Sequence, residues 1–288
     1  MGAAGRDRIR QIYEKAAEEG WSLWWKAVRQ GAPEAWAHLE RGVVAAAIMS
    51  EQRRDALIAA LRDADWRVRR AAAEALGRLA ERLEDASSLV DPLVGRLKDE
   101  DWRVRTAAAE ALGRVAKRLE NASSLVNPLV ERLKDEGSAV RAAAAEALGR
   151  VAEELKDASS LVDPLVERLK DEDWRVRTAA AEALGRVAEQ LQDASSLVDP
   201  LVARLQDYRC RVRAAAVEAL GIVAERLPDS SSFVEPLLEA LYDGDGSVRK
   251  SAAKAFSRLR VFVFRCCFRY IAYRVDDLAS GKAKPPRR

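Results

Sequence analysis

Residues 171–206 read DEDWRVRTAAAEALGRVAEQLQDASSLVDPLVARLQ, and residues 99–134 repeat them with only 7 differences in 36 positions. The dipeptide Val-Arg marks the period. It recurs at Val68-Arg69, Val104-Arg105, Val140-Arg141, Val176-Arg177, Val212-Arg213 and Val248-Arg249, always 36 residues apart. A period of this length is the signature of a stack of small supersecondary units, none of which can bury its apolar face alone. Units this similar also fit a consensus-designed scaffold, although the irregular ends of the chain do not.

Each unit reads as two helices. Over 173–191, Val176, Ala180, Ala183, Leu184, Val187 and Leu191 recur at steps of three and four, which places them on one apolar stripe of a helix. Arg175, Thr178, Glu182, Arg186 and Glu189 then face solvent. Asp173 stands where an N-cap is wanted, as do Asp65, Asp101 and Asp245 in their units. A shorter helix follows within 195–206. Ser196 and Asp199 have capping-box spacing there, and Pro200 falls in the first turn, where a missing N–H costs least. Asn121-Ala122-Ser123 has the form of a glycosylation sequon and reads more simply as a cap.

The pattern Pro-Leu-Val-x-x-Leu-x-Asp-x-x-x-x-Val-Arg-x-x-Ala-Ala-x-Ala-Leu-Gly resembles the HEAT repeat, in the short Ala-rich form of phycobilisome-lyase-type HEAT proteins, over roughly residues 51–260. The resemblance implies an all-α fold, a right-handed α-solenoid of about six 36-residue HEAT-type helical hairpins with terminal caps. It places the Pro-bearing helix on the convex side and the Val-Arg helix on the concave side. It also implies an Asp–Arg ladder: Asp63/Arg69, Asp99/Arg105, Asp135/Arg141, Asp171/Arg177, Asp207/Arg213 and Asp243/Arg249. These twelve residues are expected to be structural rather than catalytic or metal-binding.

The chain divides into a Trp-rich helical N-terminal cap (1–49), the repeats (50–258), an aromatic and basic C-terminal helix (259–278) and a disordered basic tail (279–288). The first segment holds Trp21, Trp24, Trp25 and Trp36; in the third, Val261, Phe264, Phe268, Ile271 and Val275 share a helical face. Charge is segregated as well. Residues 63–248 carry 27 basic and 36 acidic side chains, whereas 249–288 carry 12 basic and 2 acidic ones. Such a split bears on partners rather than fold. Cys210, Cys266 and Cys267 suit neither a disulfide framework nor a metal site, which points to a reducing compartment. The N-terminus lacks a secretory apolar region and no 18-residue stretch is free of charge, so a cytoplasmic protein without a membrane span is expected.

Nothing in the sequence is arranged for catalysis, and no cofactor is expected. His38 is the only histidine, and no phosphate loop, nucleophile elbow or paired-His motif occurs. Variation between units concentrates instead on one rim: Trp66-Arg67, Trp102-Arg103, Ser138-Ala139, Trp174-Arg175, Cys210-Arg211 and Gly246-Ser247, followed by Arg70, Thr106, Ala142, Thr178, Ala214 and Lys250. A fixed scaffold with changeable residues along one edge is how a solenoid presents a binding strip. The candidate partner-binding residues are therefore Trp66, Arg67, Arg70, Trp102, Arg103, Thr106, Ser138, Trp174, Arg175, Thr178 and Arg211. Trp and Arg are interface anchors; the plainer role for each Trp is to cover its helix start. Ser138-Ala139 would leave a notch between Trp102 and Trp174, roughly 20 Å apart if stacked helices keep a spacing of 8–10 Å. Cys210 reads as a small filler, or as a thiol activated by Arg209, Arg211 and Arg213.

The function expected is a non-catalytic protein- or peptide-binding scaffold. The alternatives are nucleic-acid or anionic-surface binding through the rim arginines and Arg265, Arg269 and Arg274, and a bilin-lyase-like chaperone. Self-association through the C-terminal helix is a further option.

Overall fold

The structure, a computed structural model, describes residues 51–227 and 231–258. The N-terminal cap, the C-terminal helix and tail, His38, Cys266, Cys267, Arg265, Arg269 and Arg274 lie outside these residues. The described chain forms two bodies, which divide after Leu155. The first holds α1 (Glu51–Ala60), α2 (Trp66–Ala80), α3 (Val90–Arg96), α4 (Trp102–Val115), α5 (Val126–Arg132) and α6 (Ser138–Ala152). The second holds α7 (Val162–Arg168), α8 (Trp174–Gln190), α9 (Val198–Val202), α10 (Cys210–Arg226), α11 (Ser231–Ala240) and α12 (Gly246–Arg258). No strand occurs among the described residues.

Two kinds of helix alternate. The long Val-Arg helices stack on one another, α2 on α4 and α4 on α6 in the first body, α8 on α10 and α10 on α12 in the second. Each short Pro-bearing helix leans on the long helix that follows it. Seven-residue helices such as α3 and α5 would not persist alone, because helix nucleation is costly. They hold because their leucines are spaced by four: Leu89, Leu93 and Leu97, then Leu125, Leu129 and Leu133, are all sealed from water. Each such side chain contributes about 1.5–3 kcal/mol.

The expected stripe of α8 is buried from Val176 to Leu191, but the helix buries more than one stripe. Ala179, Ala181 and Ala188 are covered too, which is why the unit is so rich in alanine. Glycine extends the same logic where helices cross most closely. A Cβ on Gly77 would stand 2.8 Å from the Cα of Ala111, and one on Gly221 would stand 2.8 Å from the Cβ of Ala255.

The long-helix caps are where the sequence places them. Asp65, Asp101 and Asp173 accept from the N–H of Arg67, Arg103 and Arg175 at 2.8–2.9 Å, and Asp245 accepts from Ser247 N–H. Asn121 caps its segment by accepting from Ser123 N–H. The capping box expected at Ser196 and Asp199 is corrected: a 3-10 turn, Ser195–Leu197, precedes α9, and Asp193 accepts from both the N–H and the hydroxyl of Ser195. Asp85 and Asp157 do the same for Ser87 and Ser159. The cap thus sits three residues earlier, because the short helix begins with a 3-10 turn.

Candidate functional site

The Asp–Arg ladder exists, with a different register from the one expected. Each Arg does meet the Asp six residues before it, but through that residue's backbone carbonyl: Arg69 to Asp63, Arg105 to Asp99, Arg141 to Asp135, Arg177 to Asp171, Arg213 to Asp207 and Arg249 to Asp243. The carboxylate it grips belongs to the next unit. Arg69 donates Nε and Nη2 to the two oxygens of Asp99 at 2.9 and 2.8 Å, and Arg105–Asp135, Arg177–Asp207 and Arg213–Asp243 repeat this fork. Two parallel charge-assisted bonds fix both distance and angle. Burial alone would push the Asp99 carboxyl up. The Arg69 fork, the Asp101 N–H and the charges of Arg69 and Arg96 outweigh burial and hold it below its ordinary value. Arg96, Arg132 and Arg204 form a second inter-unit link, each donating to a carbonyl 35 residues earlier. That link went unread, although Arg recurs every 36 residues in the Pro-bearing helices.

The ladder and the caps consume the acidic turns. Asp99 binds Arg69, Glu100 binds the same Arg at 3.1 Å, and Asp101 caps α4. Among the described residues no group of three or more His, Cys, Asp or Glu side chains could hold a metal. An open groove of about 780 Å³ in the first body is lined by Glu81, Arg114, Lys117, Arg118, Arg150 and Glu154. Arg114 and Arg118 there both reach Glu81. The row of Glu74, Glu110 and Glu146 runs along the Val-Arg helices. Desolvation, then the charge of Glu74, pushes the Glu110 carboxyl up, against the pull of Arg114.

The rim residues come together within each body. In the first, the guanidinium of Arg103 lies between two indoles, 4.7 Å from the centre of Trp66 and 4.6 Å from that of Trp102, and Arg67 covers Trp66 at 5.0 Å. Trp102 nevertheless remains 43% exposed. Arg67 and Arg103 are also within ion-pair reach of Asp65 and Asp101. Arg70 is tied to Glu74 at 2.7 Å. Past Trp102 the rim drops to Gly137, Ser138 and Ala139, half-buried small residues at the start of α6. Thr106 and Thr178 offer a partner less than their position suggests, because each hydroxyl donates at 2.8 Å to the carbonyl of its own Trp, Trp102 and Trp174.

In the second body Trp174 is ringed by Arg175, Arg211 and Arg209, at 4.8, 5.6 and 5.9 Å. Arg209 and Tyr208 were not among the expected site residues. The signal was available in the turn itself, where Asp207-Tyr208-Arg209-Cys210 stands in place of Asp-Glu-Asp-Trp. Cys210 is half-buried. The two donations from Ser247, with the Cys210 thiol as a smaller influence, draw Asp245 down to about 2.

The described chain is therefore an α-solenoid that carries an aromatic–arginine rim. It belongs to the HEAT-repeat family: the model of HEAT repeats matches residues 54–149, 126–199 and 198–260. No curated protein matches the sequence. Among solved structures, an engineered protein is 26% identical over 72% of this chain and 96% of its own, with a TM-score of 0.55. Kap121p, a karyopherin, is 19% identical over 79% of this chain and 26% of its own, with a TM-score of 0.69. The CpcE–CpcF complex of phycocyanin lyase from Nostoc sp. PCC7120 is 24% identical over 72% and 76%, with a TM-score of 0.52. The last two likenesses are of fold. No helix among the described residues is long and apolar enough to cross a membrane.

Proposed function

We propose that the chain is a non-catalytic scaffold that binds a protein or peptide along the edge of its Val-Arg helices, with Trp66, Trp102, Trp174 and their arginines as anchors. The observation that carries this reading is the state of Trp102. Among the described residues of the first body it is the one large apolar side chain left exposed, at 43%, and Arg103 stacks on its ring at 4.6 Å. Pre-ordered aromatic and guanidinium groups lose little freedom on binding, which is the property of an interface hot spot. Further support is that the ladder and the caps already engage the aspartates of the turns beside the rim. Likeness in fold to a karyopherin, one structure of which is bound to the SUMO protease Ulp1p, accords with a protein partner.

The test is capture from source lysate with the chain and its Trp102→Ala/Arg103→Ala variant side by side, at 50 and 300 mM salt, with circular dichroism as a check on folding. A protein retained by the parent at both salts and lost by the folded variant is the expected result. Equal retention by both would remove the rim from the binding surface. Capture that nuclease abolishes would move the function to nucleic acid, whose binding falls steeply with salt.

A further inference from the structure

The turn that opens α10 departs from most of its sister turns. In four other units the residue before the long helix is an aspartate that caps it, and in the fifth it is Gly137, which has no side chain to cap with. In this unit it is Arg209, whose side chain makes no capping bond. A guanidinium cannot accept a hydrogen bond, and it places positive charge at the positive end of the helix, so it is the wrong residue on both counts. The residue before it, glutamate in those units' Asp-Glu-Asp turns at 99–101 and 171–173, is Tyr208, 70% exposed. The ladder, by contrast, is kept whole: Asp207 still receives both donors of Arg177. The residues after it have changed: Tyr208 and Arg209 replace two acids, and Cys210 replaces the rim Trp.

What gathers there is an excess of cations over anions. Arg175, Arg209 and Arg211 all lie within 6 Å of the Trp174 ring, and Arg209 lies 5.2 Å from the Tyr208 ring. Arg175 has Asp173 at 3.7 Å, whereas Arg209 and Arg211 have no carboxylate within ion-pair distance among the described residues. The carboxylates nearby are already engaged. Asp207 is held by Arg177, Asp243 by Arg213, Asp245 by Ser247, and Asp173 caps α8. Three like charges around one indole, at an uncapped helix start, are a local conflict that an incoming anion relieves. Local rules broken without a carboxylate to balance the added charge mark a site of function.

We propose that Trp174, Arg175, Tyr208, Arg209 and Arg211 form a recognition site for an acidic peptide segment of the partner protein. Aspartate or glutamate carboxylates would bridge the guanidiniums, while the indole and phenol faces take the apolar parts of the chain. The inference rests on the reading of the rim as a protein-binding edge and names what this end of it selects. A peptide fits better than a nucleic acid because the surrounding residues 63–248 carry an excess of 9 acidic side chains, which a long polyanion would have to approach.

The experiment is fluorescence anisotropy on the full chain with a fluorescein-labelled decapeptide rich in Glu and Asp, and with its Gln/Asn counterpart. Three variants accompany the parent: Arg209→Ala/Arg211→Ala, Arg209→Asp, and Lys98→Ala/Lys134→Ala, two exposed cations away from the rim, as a control on the first body. The acidic peptide should bind the parent and the first-body control alike, lose about tenfold or more in affinity with each Arg209 variant, and outbind the neutral peptide. Arg209→Asp restores the cap of the sister turns, so a protein that melts higher and binds worse cannot owe its loss to unfolding. Equal affinity of parent and Arg209 variants would overturn the proposal, as would equal affinity for the neutral peptide. A single-stranded oligonucleotide of equal charge that binds more tightly and displaces the peptide would overturn it too. Should the acidic peptide fail while lysate capture through Trp102 persists, this inference falls and the rim reading stands.

Discussion

The turn Asp99-Glu100-Asp101-Trp102-Arg103 in the first body and the turn Asp207-Tyr208-Arg209-Cys210-Arg211 in the second occupy the same place in their repeats and do different things. The first sets three carboxylates against one guanidinium. One carboxylate locks the ladder, one reinforces it and one caps the helix, and Arg103 is spent between two indoles. The second keeps a single carboxylate, the ladder's, and two guanidiniums that nothing neutralises. The difference shows which residues of the unit are fixed by the stack and which are free for a partner. The aspartate that opens the turn is common to both, and the three residues after it are not.

The strongest way to test that division is to cut the shared element in both places. Asp99→Ala and Asp207→Ala should each cost about 3–5 kcal/mol, because each leaves a buried guanidinium without its carboxylate. The two costs should agree within about 1 kcal/mol despite the unlike turns around them, as read by urea unfolding of each variant. A much cheaper Asp207→Ala would mean that the second turn has altered the ladder as well as the rim. The pH dependence follows the same contact. Asp99 and Asp207 are both held below the ordinary carboxylate value, so the unfolded chain takes up their protons first as the pH falls. Their contribution is complete above about pH 4 and is lost as the pH falls through the lowered folded values. The alanine variants should therefore show a flatter acid limb than the parent.

Much of this was legible in the sequence. Period, hairpin, apolar stripe and the Asp caps at 65, 101 and 173 follow from residue type at fixed spacing, and the structure places them so. The ladder's twelve residues were recognised, but the pairing was not. A 36-residue period cannot say whether Arg69 meets the carboxylate six residues back or the one 30 residues on, since both recur identically. The start of the short helix was misplaced because Ser-Ser-Leu-Val-Asp satisfies a capping box and an Asx-capped 3-10 turn equally well, and only backbone geometry separates them. At the rim, Trp and Arg were found as types. Their sandwich at Arg103 and their crowding at Trp174 are products of stacking, and a single unit contains no trace of either.

Packing offers a second comparison, with a change of sign between two glycines of the long helices. Replacing a helical glycine by alanine normally gains about 1 kcal/mol. At Gly77 the new methyl would meet the backbone of Ala111 at 2.8 Å, whereas at Gly185 the nearest backbone atom is 3.4 Å away and the closer neighbour is the tip of Ile222 at 3.2 Å. A main chain cannot step aside as a side-chain end can, and overpacking of that kind costs about 1–3 kcal/mol. Gly77→Ala should accordingly destabilise by about 1–2 kcal/mol in chemical denaturation, while Gly185→Ala should be neutral or mildly stabilising. Equal losses at both would mean that the helix crossing at Gly185 is as unyielding as the one at Gly77.

The smallest effect bears most directly on the two turns. Asp101→Ala removes a cap whose carboxylate stands 2.8 Å from the Arg103 N–H, and it should cost about 1 kcal/mol. Arg209→Asp installs the corresponding cap on α10, which has none, and it removes a cation from the helix start, so it should gain about 1 kcal/mol. The signs are opposite because one substitution breaks the rule of the repeat and the other restores it. Thermal melts of the two variants against the parent would read the difference directly. A gain at Arg209 would mean that the second turn carries a cost in stability which the fold alone does not require. A loss there would mean that Arg209 already has a stabilising contact in the free protein, and the contrast between the two turns would reduce to sequence.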